Sequence, residues 1–443
     1  MEQLARECGR QTVEHAYNGA EPDDARQLPP RIRVGLSAYR RNRQTPRRVA
    51  TLLGEITLRR CIYQAVEAGE PGLAPLDEAL GLVAGVATPA LADEAARLTA
   101  ELPQRATREA LAARHGVSWA DGTLRKVVAA MAANLTPHRH PAQVEQLLTW
   151  LAAAAKSRGR HAPTLAVGRD GVMIPMRPFW EEASTATVSV YDRSGRRLGT
   201  VYLGRMPEPG QATLTAPLRQ LVVAVLAAWQ GTPLRLVYVT DAGNHPQDFY
   251  RSVLRPMKHP RTGQRLSWEW LVDYYHACER LTKLAEALFG SGREAEAWAA
   301  KQRRVLRDKP GGVARVLASA RALRRRRGLA GSGKDFTQAA NYLRKYASHM
   351  HYAEARRRKL PIGSGVTEAA CKTLVGQRFK QSGMRWKTDH GQHVLDLRAI
   401  LKSGIWTACR TRWLAHSQPP PPSTVTLKPQ TSSTIPTGNL LPT

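Results

Sequence analysis

The stretch LRLVYVTDAGN, residues 234–244, decides how the rest of the chain is read. Val237, Tyr238 and Val239 sit in an apolar, β-branched and aromatic run that stops at Thr240-Asp241-Ala242-Gly243-Asn244. A short run of this kind, closed by Gly and Asn, reads as a buried parallel strand feeding a loop. In open α/β sheets, functional groups gather outside the carboxyl ends of such strands, which is where Asp241 stands. Asp241 also fits a plain turn, because Asp and Asn hydrogen-bond their own backbone. The choice rests on whether other carboxylates arrive at the same place.

Upstream, Thr164 to Met176 reads as a strand with Asp170 inside it, in Gly168-Arg169-Asp170-Gly171, where β-propensity disfavours an acid. Thr187–Tyr191 and Arg197–Leu203 read as strands around a hairpin at Asp192-Arg193-Ser194-Gly195. Leu214 to Trp229 has one broad apolar face and reads as a helix. The Leu234–Val239 strand follows, then a short helix from Gln247 to Met257 and an apolar, aromatic run from Trp268 to Tyr275. Three strands, a helix, a strand, a helix and a strand is the order of a ribonuclease H-like sheet, with an antiparallel meander first and parallel additions after it. In that arrangement Asp170 and Asp241 meet on neighbouring strands.

The 443 residues predict two or three domains, and a hydrophobic fraction of 42% can fill their cores. Lys and Arg number 66 against 36 Asp and Glu, a net charge of +30 spread along the whole chain. Such an excess predicts a polyanionic partner. No run approaches the roughly 18 apolar residues of a membrane span, since Arg219 and Gln220 interrupt the longest. MEQLARECGR lacks the apolar core of a signal peptide. The five cysteines stand far apart, without a CxxC pair, which fits a reducing compartment. The expectation is a cytoplasmic, nucleoid-associated protein with no membrane contact.

Residues 1–87 read as an N-terminal region, polar and helix-tending to about Pro46, then two short strands around Gly54-Glu55, then a turn-rich connector from Gly69 to Leu82. Residues 88–150 turn helical. A helix through Glu109–Ala112 ending near Gly116, a turn at Val117-Ser118-Trp119, and a second helix with Leu124, Val127 and Val128 inward and Arg125 and Lys126 outward give helix-turn-helix spacing. Two helices around a glycine are also an ordinary helical hairpin. Residues 151–415 form the sheet-bearing domain, with a basic helical insertion over about 277–360 that holds Arg324–Arg327 and Arg356–Lys359. These runs suit phosphates. Residues 416–443, Pro/Ser/Thr-rich from Ser417, read as a disordered tail.

A third carboxylate comes from GSGVTEAACKTLVGQRFK, residues 363–380: Gly-Ser-Gly breaks the chain, Thr367 is placed to cap a helix, and Glu368 opens it, with Lys372 on the same face. Glu368 there would also suit the helix dipole. Carboxylates at close range are costly, and a divalent cation relieves the cost. Two metals roughly 3.5–4 Å apart stabilise the attacking and leaving oxygens of a phosphodiester displacement, and Mg²⁺ or Mn²⁺ suits oxygen ligands.

GRDG at 168–171, VTDAGNH at 239–245, DYYHACERL at 273–281 and GSGVTEAACKTLVGQRFKQSGMRW at 363–386 resemble the ISKra family of bacterial insertion-sequence transposases, in the wider DDE group with the Mutator-like enzymes. The resemblance runs from about Arg47 to Trp413, and its last motif is the most specific. It implies a ribonuclease H-like catalytic core with Asp170, Asp241 and Glu368 as the catalytic, metal-binding triad. It implies cleavage and transfer of double-stranded DNA at the terminal inverted repeats and the target, by a homo-oligomer on DNA. Asp273 also ends a strand-like run and is the alternative second Asp. The Asp-Tyr-Tyr-His motif looks like the Cys/His motif that follows the second Asp in Mutator-like enzymes, and His276 would hold a phosphate or the fold. Arg125, Lys126, Lys372, Arg378, Lys380 and Arg385 are the other expected phosphate contacts. The family carries a Cys-rich, zinc-ribbon-like segment before a PLDE-type motif; here Pro75-Leu76-Asp77-Glu78 is present, but Tyr63–Gly72 has no cysteine. Two other functions compete with a transposase: an inactive or domesticated DNA-binding derivative, and a metal-dependent structure-specific nuclease.

Overall fold

The computed structural model describes residues 1–67, 69–329 and 333–416. The expected tail from Ser417 lies outside them. The chain divides into two compact units, one of Met1–Leu91 with Arg114–Val117 and His416, the other of Ala92–Ala113 with Ser118–Ala415. Most of the 88–150 segment thus belongs to the second unit.

The first unit opens with α1 (Glu2–Asn18), followed by β1 (Arg31–Val34), β2 (Ser37–Thr51) and β3 (Gly54–Ala65) in an antiparallel sheet of that order, then α2 (Pro75–Ala79). Helix tendency before Pro46 is realised only in α1. From Arg31 onward pairing overrides local preference, because β2 gains β3 as a partner along most of its length. The strands around Gly54 are longer than the sequence suggests, and Glu55 lies inside β3 rather than in the turn. Val49, Ile56, Leu58 and Leu76 form the core, with Val13 and Tyr17 of α1 against it. The connector holds α2, with Pro75 in its first turn, where a missing N–H costs nothing.

Next come α3 (Pro89–Glu101), α4 (Gln104–His115), α5 (Asp121–Leu135) and α6 (Arg139–Lys156). Gly116 ends α4 at φ +67°, and α5 buries Leu124, Val127 and Val128 while Arg125 and Lys126 face solvent. Arg108 of α4 donates to the Trp119 carbonyl at 2.6 Å and pairs with Asp121 at 2.9 Å, which fixes the start of α5.

The second unit is an α/β layer around a mixed five-stranded sheet of order β6-β5-β4-β7-β8. Its members are β4 (Thr164–Pro175), β5 (Trp180–Tyr191), β6 (Arg197–Arg205), β7 (Arg235–Thr240) and β8 (Trp268–Val272). The first three form an antiparallel meander; β7 is parallel to β4, and β8 to β7. Asp192 closes the β5–β6 turn by accepting the Ser194 and Arg196 amides, both at 2.9 Å. α7 (Ala212–Ala228) crosses between β6 and β7; α8 (Asn244–Phe249), prolonged by a π-helical turn over Tyr250–Leu254, crosses between β7 and β8. Leu165, Val167, Leu236, Tyr238, Trp270 and Val272 belong to the large core on the α7 side, while Ala166, Val237, Val239 and Leu271 pack with Ala355 and Leu360. The two sets alternate along each strand, as a pleated sheet covered on both faces requires.

After β8 come α9 (Tyr274–Phe289), α10 (Arg293–Asp308), α11 (Gly312–Arg326), α12 (Lys334–Lys345) and α13 (Tyr352–Arg357). The apolar run read as reaching Tyr275 ends as a strand at Val272, because Asp273 caps α9 and turns Tyr274 and Tyr275 into its first turn. Next follow α14 (Gly365–Ala370), a π-helical stretch over Cys371–Gly376, the three-residue α15 (Gln377–Phe379), α16 (Thr388–Lys402) and α17 (Trp406–His416). Among the described residues, Pro209–Ala228 is long and apolar enough to cross a membrane by length and composition. Its Leu214, Leu218, Leu221, Val222 and Val225 lie in the sheet's core, as in a core helix.

Candidate functional site

Three acids stand in one row across neighbouring strands. The β4–β7 ladder ends at the pair Gly168–Val239, and Val239 pairs in turn with Leu271 of β8. Asp170, Asp241 and Asp273 each lie two residues past that row. The two-residue period puts all three on the face of Ala166, Val237, Val239 and Leu271, away from α7. Between Thr240 and Asp273 the main chains stay bonded, with Asp273 N–H donating to the Thr240 carbonyl at 2.8 Å.

The fourth acid arrives by helix. Thr367 of α14 sits on Gly168: its Oγ1 is 2.8 Å from Thr187 Oγ1 of β5, and a Cβ at Gly168 would fall 2.0 Å from it. Glycine at 168 is what lets α14 lie flat on β4. Glu368, the next residue, is exposed beside the row. Thr367 is not the cap expected of it. The chain enters α14 through Ser364, and Thr367 is buried inside the helix. Ser364 Oγ instead donates to Glu368 Oε1 at 2.7 Å. The π-helical stretch shifts the helical faces, so Val375 and Phe379 are buried while Glu368 and Lys372 face solvent.

The acids differ in what holds them. Asp170 Oδ1 accepts the Gly171 amide at 2.8 Å, and the Cys371 thiol lies 3.4 Å from Oδ2 and 3.1 Å from Thr185 Oγ1. Burial raises the Asp170 carboxyl above its usual range, and the charges of Asp241 and Glu368 push the same way. Burial also raises the Cys371 thiol far above its ordinary value, so it is a neutral donor. Asp241 Oδ1 accepts the Gly243 amide at 2.9 Å. The turn behind it puts Ala242 at φ +65°, tied by its amide to Thr240 Oγ1 at 2.8 Å, and Tyr342 of α12 donates to the Asp241 carbonyl at 3.1 Å.

Asp273, the alternative to Asp241, is fully buried and bonded at both oxygens, Oδ1 to the His276 amide at 2.8 Å and Oδ2 to the Ser364 amide. It caps α9 and ties down the Gly-Ser-Gly loop that launches α14. Asp273, His276 and Glu368 nevertheless offer ligand atoms all within 4.8 Å of one another. Among the described residues, Asp170, Asp241 and Glu368 are not that close together. His276 Nε2 is 3.8 Å from Glu368 Oε1, and its Nδ1 is 3.3 Å from Glu279.

The expected phosphate contacts divide. Arg125, Lys126, Lys372, Lys380 and Arg385 are exposed. Arg378 is not available: it is buried, donates to the Thr99 carbonyl at 3.0 Å, and stacks on Trp386. Burial, with Arg398 nearby, pushes its guanidinium down to about 10. Arg398, also buried, donates to the Ala100 carbonyl at 2.6 Å and to Glu101 at 2.8 Å, so the two arginines cap the C-terminus of α3. In the basic runs, Arg327 is spent on the Leu288 carbonyl and Glu294, and Arg356 on Asp308, while Arg325 and Arg326 are exposed. Sequence reasoning gave no role to Cys371, Ser364 or Tyr342. Gly168 carried a signal, since a glycine inside a strand marks close approach of another chain segment.

Comparison with models of protein families and with curated proteins finds no match.

Proposed function

We propose that this chain is a DDE-type DNA transposase of the kind its motifs resemble, built on a ribonuclease H-like core, cutting and joining DNA with a divalent cation. One observation carries the reading: Asp170 within β4 and Asp241 just past the end of β7 lie on one face of adjacent strands, and α14, seated on Gly168, brings Glu368 beside them. The strand order, with an antiparallel meander and two parallel additions, supports the core assignment. Helices α4 and α5 have helix-turn-helix spacing, with Arg125 and Lys126 outward for the duplex.

The donor set fits a hard divalent cation. Asp170, Asp241 and Glu368 are all-oxygen donors, and burial, with the charges of Asp241 and Glu368 adding to it, holds the Asp170 carboxyl up. Mg²⁺ or Mn²⁺ bound there would neutralise the charge on a phosphodiester under displacement. Asp170 is aimed by the Gly171 amide and the Cys371 thiol, Asp241 by the Gly243 amide, and Glu368 by Ser364. His276, within 3.8 Å of Glu368, can donate to a phosphate oxygen. The tight Asp273–His276–Glu368 group supports a second ligand arrangement, in which Asp273 takes the place of Asp241. We favour Asp241 because Asp273 already accepts two main-chain amides.

The test is purified protein with element-end DNA and Mg²⁺ or Mn²⁺, scoring binding and cleavage separately. D170N, D241N and E368Q should each stop cleavage and keep DNA affinity, since affinity comes from Arg and Lys elsewhere. D241N cutting at the wild-type rate while D273N is inert would transfer the role to Asp273. A wild type that binds but cuts with neither metal would favour a noncatalytic DNA-binding protein.

A further inference from the structure

At the β1–β2 end of the first unit's sheet one face carries four arginines that no acid holds, whereas Arg47 and Arg60 farther along that face pair with Asp77. From Arg31 to Thr51 the chain has seven arginines and no Asp or Glu. Register sorts them. Arg31 pairs with Arg40 and Arg33 with Ala38, so Arg31, Arg33 and Arg40 share a face. Arg41 pairs with Tyr63 and Arg43 with Ile62, and the bulge between them leaves Asn42 without a partner. That extra residue puts Arg43 on the face of Arg40; without it Arg43 would join Arg41.

The opposite face is taken. Ile32, Tyr39 and Arg41 are half-buried and Tyr63 is buried. Arg41 donates to the carbonyls of Ala25 at 2.7 Å and Arg26 at 3.1 Å, and Tyr63 to that of Pro29 at 2.9 Å, so residues 25–29 lie across it. Arg31, Arg33, Arg40 and Arg43 are exposed, and among the described residues they form no ion pair. Like charges directly opposite on paired strands are destabilising, so the Arg31–Arg40 pair carries a cost that an anion would remove.

We propose that this arginine face, at the β1–β2 end of the three-stranded sheet, is a second DNA-docking surface, seated on the phosphates that flank a groove of duplex DNA. Two features point to a duplex. Toward its turn the sheet narrows to β1 and β2 alone, since β3 pairs with β2 only from Tyr39 onward, and a two-stranded tip is the size the major groove admits, about 12 Å across. The ribbon's turn, Gly35-Leu36, is uncharged and fully exposed at Leu36, so a narrow tip projects ahead of the arginines. The proposal rests on the reading of the chain as a DNA-acting protein and adds a surface separate from α5.

The experiment titrates salt against binding of a labelled mixed-sequence duplex, using full-length protein. Three forms are compared: wild type, R31A/R33A/R40A/R43A, and R125E/K126E. Each phosphate contact contributes about 0.9 to the slope of log K against log salt, so the quadruple variant should lose about 3–4 units of slope. At low salt it should lose at least tenfold in affinity, with its thermal midpoint unchanged or raised. The all-lysine version of the four positions should keep most of the slope. A quadruple variant with wild-type slope and affinity overturns the ribbon proposal and leaves the DNA reading standing. A wild type that binds no duplex removes both. Loss of single-stranded RNA binding with duplex binding intact would make the partner RNA and likewise overturn the proposal.

Discussion

Gly168→Ala tests the packing that brings Glu368 to the aspartates. The added Cβ would lie 2.0 Å from Thr367 Oγ1, 2.9 Å from Thr187 Oγ1 and 3.2 Å from Thr367 Cβ. Ordinary contact begins at 3.4 Å, so α14 must withdraw by about 1.4 Å (3.4 − 2.0) or Thr367 must leave its rotamer. Overpacking of this size costs about 1–3 kcal/mol. Breaking the 2.8 Å Thr187–Thr367 bond costs about 1 kcal/mol more. The expected loss is about 2–4 kcal/mol, which lowers the thermal midpoint by about 2–4 °C per kcal/mol. Glu368 follows Thr367 directly; on the proposed function it is a catalytic group, and a 1 Å misplacement of such a group costs about a hundredfold in rate. Cleavage should therefore fall about a hundredfold at temperatures where the variant is folded. Thr367→Ala removes the closest atom, so the double variant should recover part of the stability, with a coupling of about 1 kcal/mol. Calorimetry measures the first effect and a single-turnover cleavage assay the second. A G168A protein with the wild-type midpoint and wild-type cleavage would refute the packing of α14 on β4, and with it the placement of Glu368.

Two further outcomes follow from the surroundings of single residues. Asp170 has a raised folded-state carboxyl, so the native state holds its proton more tightly than the unfolded chain, whose value is 3.8. Its stabilising contribution is full below pH 3.8 and is lost as pH rises through the folded value. D170N in EDTA should thus melt above wild type at pH 7, with the gap closing in acid; a lower midpoint at pH 7 would contradict the cost of burying the Asp170 charge beside Asp241 and Glu368. Arg378→Ala strips the Thr99 carbonyl of its donor and should cost about 2–4 kcal/mol, while DNA affinity at temperatures well below the melt stays within about twofold. A large affinity loss with an unchanged midpoint would return Arg378 to the phosphate-binding set.

The sheet was legible because its strands carry their own punctuation. The Leu234–Val239 run ends in Asp-Ala-Gly-Asn, and the Asp192–Gly195 turn separates β5 from β6 with hydrogen bonds an Asp is suited to make. Helix α5 was legible from Leu124, Val127 and Val128 on one face, and α4 from the Glu109–Ala112 run ending at Gly116. The N-terminal sheet was legible only around Gly54, where two strands were expected; β1 and the first part of β2 were not, because Arg31 to Arg48 has little apolar alternation and is held by its paired strands. Arg378 was misread for a related reason. A cation in a basic sequence looks solvent-facing, and nothing local reveals the α3 carboxyl end, more than 270 residues earlier in the chain, that it caps.

Asp241 and Asp273 look alike in sequence, each ending an apolar strand, and differ in what comes next. After Asp241 the chain bends through Ala242 in the left-handed region, and the carboxylate takes one amide, that of Gly243. After Asp273 the chain runs straight into α9, whose Ala277, Leu281, Leu284, Ala285 and Leu288 are all buried. An Asp before such a stripe is placed as an N-cap, and the stripe was there to be read. Its second oxygen is then taken by Ser364, whose hydroxyl reaches Glu368. Asp273 thereby couples the start of α9 to the loop that sets α14. On this view the acid with fewer main-chain bonds is the one left to hold a cation, and the acid with more is the one that aligns its partner.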